Sequence, residues 1–153
     1  MTAMASFHKA IVHNLVDIAD FLLQHLEGAA NISIAIVDRE DGLRPIVELA
    51  ATDLLPAVHL SHGGPAFAAS LTGRIARSPH TGERHAAWDD YNQTCYRQGI
   101  LSVAAFPILD HEEVVGVLTV GSTLYRGFGR AETRIGQAAA AQVTPLVLAA
   151  RLG

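Results

Sequence analysis

The chain has 153 residues, of which half are hydrophobic and 17% charged. That composition suits one domain with its own apolar core, folding without metal or disulfide, and excludes a disordered chain. A net charge of −4, a single lysine (Lys9) and arginines scattered along the sequence exclude the contiguous basic run that nucleic-acid binding favours. Cys95 is the only cysteine, so no intrachain disulfide forms, in keeping with a reducing cytoplasm. The first ten residues lack the basic-then-apolar order of a signal peptide, and no apolar run reaches the ~20 residues of a membrane span. The expected setting is cytoplasmic, without membrane or nucleic-acid partners.

In chain order, residues 5–27 read as a helix: Ile11, Leu15, Ile18, Leu22 and Leu26 recur at spacings of three and four, and Gly28 supplies a stop. Residues 31–38 are short and β-branched and read as a buried strand. Asp41-Gly42 is a hairpin signal, and 43–51 is the partner strand. Residues 54–64, with Pro56, His59, His62 and Gly63-Gly64, read as a loop. Residues 65–77 look helical with Pro65 in the first turn, 78–84 form a second loop, and 86–98 a short helix closed by Gly99. Two apolar strands then flank the polar turn Asp110-His111-Glu112-Glu113, the first frayed or at an edge near Pro107 and the second ending near Ser122. The last helix, 130–151, is alanine-rich, with Pro145 expected to bend it. Strand pairs joined by short turns imply an antiparallel sheet, and the amphipathic terminal helices must cover it, giving an α+β fold.

The run Gly99-Ile-Leu-Ser-Val-Ala-Ala-Phe-Pro-Ile-Leu, a polar turn and Val115-Gly-Val-Leu-Thr-Val resemble the core hairpin of GAF domains. Gly127-Phe128 and Glu132, leading into Ala141-Gln142-Val143, are similar to the closing segment of that family, and Trp88-Asp89-Asp90-Tyr91 resembles the connection in actinobacterial-type sensors. The resemblance implies a central antiparallel sheet of five or six strands in one domain over 1–153, with a core over about 31–122. It places both terminal helices on one face and a ligand pocket on the other, roofed by the irregular middle. It also implies a sensory module that binds a small molecule of unknown identity, homodimerises through its terminal helices and is read by a separate kinase or regulator. The family's cyclic-nucleotide signature is matched only loosely, by Phe128 and Glu132; its Asn-Lys pair is absent.

Small and polar residues on one strand face leave room for a ligand, so the expected floor is Ser102, Ala104 and Phe106, with Thr119 and Gly121 from the next strand. Trp88, Tyr91 and Tyr96 are apolar bodies with polar tips that suit a roof, with Phe67, Cys95, His59 and His62 beside them. Packing alone accounts equally for the small floor residues, and more readily for the aromatic ones. His59, His62 and His85 are the candidate haem ligands, and with Cys95 they make an incomplete zinc set. Cys95 is followed by Tyr96 rather than the histidine of bilin-attaching relatives, and it reads first as a small buried hydrophobe. A redox role would require a lowered pKa. Free methionine sulfoxide reduction is an enzymatic reading within the family, but its usual disulfide cycle needs two thiols. A domain that only dimerises, with its pocket filled, is the other alternative.

Overall fold

The computed structural model describes residues 2–38, 42–50, 64–85 and 87–152. The Asp41-Gly42 turn reading at Asp41, the loop reading up to Gly63, and His59 and His62 lie outside the described residues. The elements run α1 (Ala3–His25), β1 (Ala29–Asp38), β2 (Gly42–Ala50), α2 (Pro65–Thr72), β3 (Ala76–Ser78), α3 (Asp89–Arg97), β4 (Ser102–Asp110), β5 (Glu113–Ser122) and α4 (Arg130–Arg151). Among the described residues the sheet has five strands in the order β2-β1-β5-β4-β3, and every neighbouring pair is antiparallel. The α+β fold expected from the sequence is the fold observed.

Both terminal helices cover one face. Ile11, Leu15 and Leu22 of α1 and Val143 and Val147 of α4 pack on Ile32, Ile34 and Ile36 of β1, Phe106 and Ile108 of β4, and Leu118 and Val120 of β5. These side chains are almost wholly withdrawn from water, and at about 1.5–3 kcal/mol for each large apolar side chain they form the main stabilising layer. α1 begins at Thr2, whose Oγ1 accepts from the Ala5 N–H at 3.2 Å, a standard cap for first-turn donors. It ends at His25, earlier than the sequence reading, because Leu26 is already extended. Gly28 then turns the chain at φ +78°, tight against Leu124.

Two segments depart from expectation. The helix predicted over 65–77 stops at Thr72, where Gly73 takes the left-handed conformation with its N–H on the Ala69 carbonyl. Residues 76–78 instead add β3, which pairs with β4 only from Val103 to Ala105. Pro107 therefore lies on the stretch of β4 that has β5 beside it and no described strand on its other side, where a missing N–H costs little. α3 starts later than predicted, with Trp88 as its N-cap. Pro145 stands inside α4 without ending it. Among the described residues, no helix is long and apolar enough to cross a membrane.

Candidate functional site

The face of the sheet away from α1 and α4 carries a row of polar side chains. Ile32, Ile34 and Ile36 point to the helices, so the alternate residues Asn31, Ser33 and Ala35 point the other way. The registers Glu48↔Ser33, Ser33↔Thr119 and Thr119↔Ala105 lay one row across β2, β1, β5 and β4. A parallel row runs through Asn31, Gly121 and Val103. Gly121 is required here: a Cβ would collide with the Asn31 side chain that lies across it.

Ser33 and Thr119 are each only 6% exposed. Neither hydroxyl has a hydrogen-bond partner among the described residues. Buried hydroxyls are normally satisfied, and the three other serines buried in the sheet region are. Ser78 Oγ donates to Asn92 Oδ1 at 2.7 Å. Ser102 Oγ donates to the Leu124 carbonyl at 2.6 Å and accepts from the Gly127 N–H at 3.1 Å. Ser122 Oγ accepts from the Leu124 N–H at 3.0 Å. The Ser33 and Thr119 hydroxyls thus sit side by side at the centre of the helix-free face, while among the described residues the side-chain polar atom wholly closed off from water without a partner is Gln98 Oε1, at the C-cap of α3.

Two short helices rim that face. α2 sets Ala66 and Ala69 against Ala105 and Val117; its first turn carries Phe67, 36% exposed. α3 sets Tyr91 and Cys95 against Ala30, Ile100 and Val103, with Trp88 packed alongside. The Trp88 indole stacks on His85 at 4.4 Å and 9°, and His85 Nδ1 accepts from the N–H groups of Ala87 and Trp88, both at 3.1 Å. His85 is therefore occupied in holding the entry to α3, with its proton on Nε2 when neutral. Gly64 presses its Cα on the Tyr91 ring, leaving no room for a Cβ. Tyr91 and Cys95 are hydrogen-bonded; burial, then the Cys95 charge, holds the phenol well above its ordinary value of 10.0. Burial pushes the Cys95 thiol from 9.0 up to about 12, and the Tyr91 hydrogen bond lowers it only in part.

The residues singled out from the sequence fall into three groups. Thr119 and Gly121 lie on the helix-free face. Trp88, Tyr91 and Cys95 come together beside it as a packed cluster, while Tyr96, half exposed, points away from that cluster toward Gly82. Ala104 and Phe106 are a correction: both belong to the helix-side core, and Phe106 lies under Gly136 of α4, so neither can floor a hollow on the opposite side. Ser102 is a correction of the same kind, because its hydroxyl anchors the loop before α4. Val103 and Ala105 hold the places assigned to them. Asn31, Ser33 and Glu48 were not singled out. Their signal is the strict alternation Asn-Ile-Ser-Ile-Ala-Ile over residues 31–36, hidden by reading this strand as uniformly buried. Among the described residues, no group of three or more His, Cys, Asp or Glu side chains is placed to hold a metal ion.

A family model described as GAF domain matches residues 13–144. No curated protein matches the sequence. Among solved structures, the GAF domain region of a protein from Geobacter sulfurreducens PCA superposes with a TM-score of 0.77 at 18% identity, covering 99% of this chain and 100% of that one. The type II free methionine-R-sulfoxide reductase from Thermoplasma acidophilum gives 0.72 at 14% identity, covering 92% and 94%. Residues 122 to 287 of a methyl-accepting chemotaxis protein give 0.66 at 15% identity, covering 97% of both chains.

Proposed function

This chain belongs to the GAF domain family, and from that membership we propose that it is a sensing module that binds a small molecule on the helix-free face of its sheet. The observation that carries the reading is the pair of nearly buried, adjacent hydroxyls of Ser33 and Thr119, without partners among the described residues, where every comparable serine is satisfied. A ligand with polar groups would supply the missing partners. Asn31 and Glu48 border the same rows, and Val103, Ala105 and Val117 add an apolar floor, the usual mix of a small-molecule site.

The Cys95 environment supports a binding role over a reductase role. A nucleophilic thiol must be accessible and readily ionised; this one is 1% exposed and held neutral. The signal would leave through the terminal helices. α1 leaves Met4, Phe7 and Phe21 largely exposed, and Phe7 and Phe21 lie two heptads apart on one side of the helix. A second copy of the chain covering this stripe would form a homodimer, and a separate kinase or regulator would read it. Coupling requires only that the ligand bind one helix arrangement better than the other.

The test is a panel of polar metabolites screened for a rise in melting temperature. A compound that stabilises the native chain should lose its effect in both Ser33→Ala and Thr119→Val. A stabilising compound that acts equally on both variants would place its site elsewhere and reject this reading.

A further inference from the structure

Two adjoining pockets of different chemistry, with Gln137 on the wall of both, lie between α4 and the β3–β4 side of the sheet. One, about 640 Å³, is more apolar than polar, lined by Ile75, Phe106, Leu109, Ala140 and Ala141, with the Arg74 side chain also on its wall. The other, about 430 Å³, is lined by Arg77, Arg130 and Arg134 with Phe128 and Thr133. Phe106 and Phe128 meet edge-on at the junction with ring centroids 6.5 Å apart.

Arginines scattered in sequence are brought together in space here. Arg130 and Arg134 are one turn apart on α4. Arg77 pairs with Ala104, whose side chain faces the helices, and its Nη2 donates to Thr133 Oγ1 at 3.1 Å. None of the three guanidinium groups has an ion-pair partner among the described residues. Glu132, the acid of the first turn, is engaged with the Gly129 N–H at 3.1 Å. Like charges four residues apart are unfavourable, and cations at a helix N-terminus oppose the helix dipole. In a chain with net charge −4, three of eleven cationic side chains converge at this one point. An anion seated there would relieve both repulsions.

We propose that this cleft, the two pockets together, is a second ligand site, separate from the one proposed on the helix-free sheet face, for a small, free amphiphilic oxyanion. A carboxylate or phosphate head would lie among Arg77, Arg130 and Arg134, and an aliphatic or aromatic body would lie along Ile75, Phe106 and Leu109. The apolar half alone has the size of a small-molecule pocket, and the head group fits the fork-shaped donors of arginine. Occupancy ties the sheet edge to α4.

Calorimetric titration of the whole chain with octyl phosphate, inorganic phosphate and octan-1-ol at low salt tests this. Octyl phosphate should bind about tenfold or more tightly than inorganic phosphate, equivalent to ~1.4 kcal/mol, and octan-1-ol should not bind. Arg134→Gln and Arg77→Gln should each weaken octyl phosphate by about five- to tenfold, the loss of one charge-assisted contact. Ala141→Trp, which fills the apolar half from an exposed position, should weaken octyl phosphate and leave inorganic phosphate unchanged. Equal binding of the two phosphates would mean an adventitious ion only and would overturn the proposal. So would octan-1-ol matching octyl phosphate, or arginine variants without effect. Arginine-dependent sedimentation with phosphatidylglycerol vesicles would assign the patch to a membrane headgroup and overturn the free-ligand site. None of the residues varied lies on the rows that carry Ser33 and Thr119, so failure here leaves the sensing reading standing.

Discussion

Thr119→Val replaces a buried hydroxyl with a methyl of nearly the same shape in the middle of β5, and the hydrogen-bond geometry fixes the sign of its effect. A buried polar group without a partner costs about 1–3 kcal/mol relative to one that is satisfied. Thr119 has no partner among the described residues, and its hydroxyl is not one of the atoms wholly closed off from water, so removing it should stabilise the ligand-free chain by at most about 1 kcal/mol. For a chain of this length that is a rise of at most about 2–4 °C in melting temperature. Ser102→Ala is the matched control. Ser102 is fully buried and serves two groups, the Leu124 carbonyl and the Gly127 N–H, so its removal strands both and should cost about 2 kcal/mol or more. Urea unfolding of both variants, with unchanged slopes, gives the two numbers. Thr119→Val destabilising by more than about 1 kcal/mol would show that the hydroxyl is already satisfied within the chain. That result would remove the reason to place a ligand there.

Three further outcomes follow from the packing. Gly136→Ala gains about 1 kcal/mol of helix propensity but drives a methyl into the buried Phe106 ring, an overpacking cost of about 1–3 kcal/mol, so the melting temperature should fall by a few degrees rather than rise. Cys95 should resist thiol reagents in the native state at pH 8 and react once the chain is unfolded. Its folded pKa, about 12, lies above the unfolded 9.0. Between these values the native chain keeps a proton that the unfolded chain has lost, so stability should fall as pH rises, by at most about 1.4 kcal/mol per pH unit from this group; a flat profile would contradict the buried neutral thiol. Phe7→Glu with Phe21→Glu should halve the mass seen by light scattering while the circular dichroism spectrum is kept, and a native chain already monomeric at high concentration would refute the helix-mediated dimer.

Much of the fold was legible because its signals are local. The i, i+3, i+4 stripe of α1 and the polar turn at 110–113 each specify an element without help from distant residues. β3 was not legible: Ala-Arg-Ser has no strand preference, and it is extended only because the edge of β4 accepts it and Gly73 has ended the preceding helix. The site was half legible for a similar reason. In β4 both faces are small or apolar, so alternation cannot say which side meets the helices. The decision is made by Phe106 fitting beneath Gly136, a contact thirty positions apart in sequence. In β1 the alternation of Asn31, Ser33 and Ala35 with three isoleucines does identify the faces, and through the register it identifies Thr119 as well. The arginine cleft was invisible in sequence, because Arg77 and Arg134 meet only when β3 joins the sheet edge.

Methyl and amide NMR of the whole chain during titration with a library of polar fragments tests the sensing account most directly. Shift changes centred on Ser33, Ala105, Val117 and Thr119, and absent from the same spectra of the Thr119→Val variant, are the predicted result. Fragments that bind tightly elsewhere while leaving those four residues unmoved would contradict it.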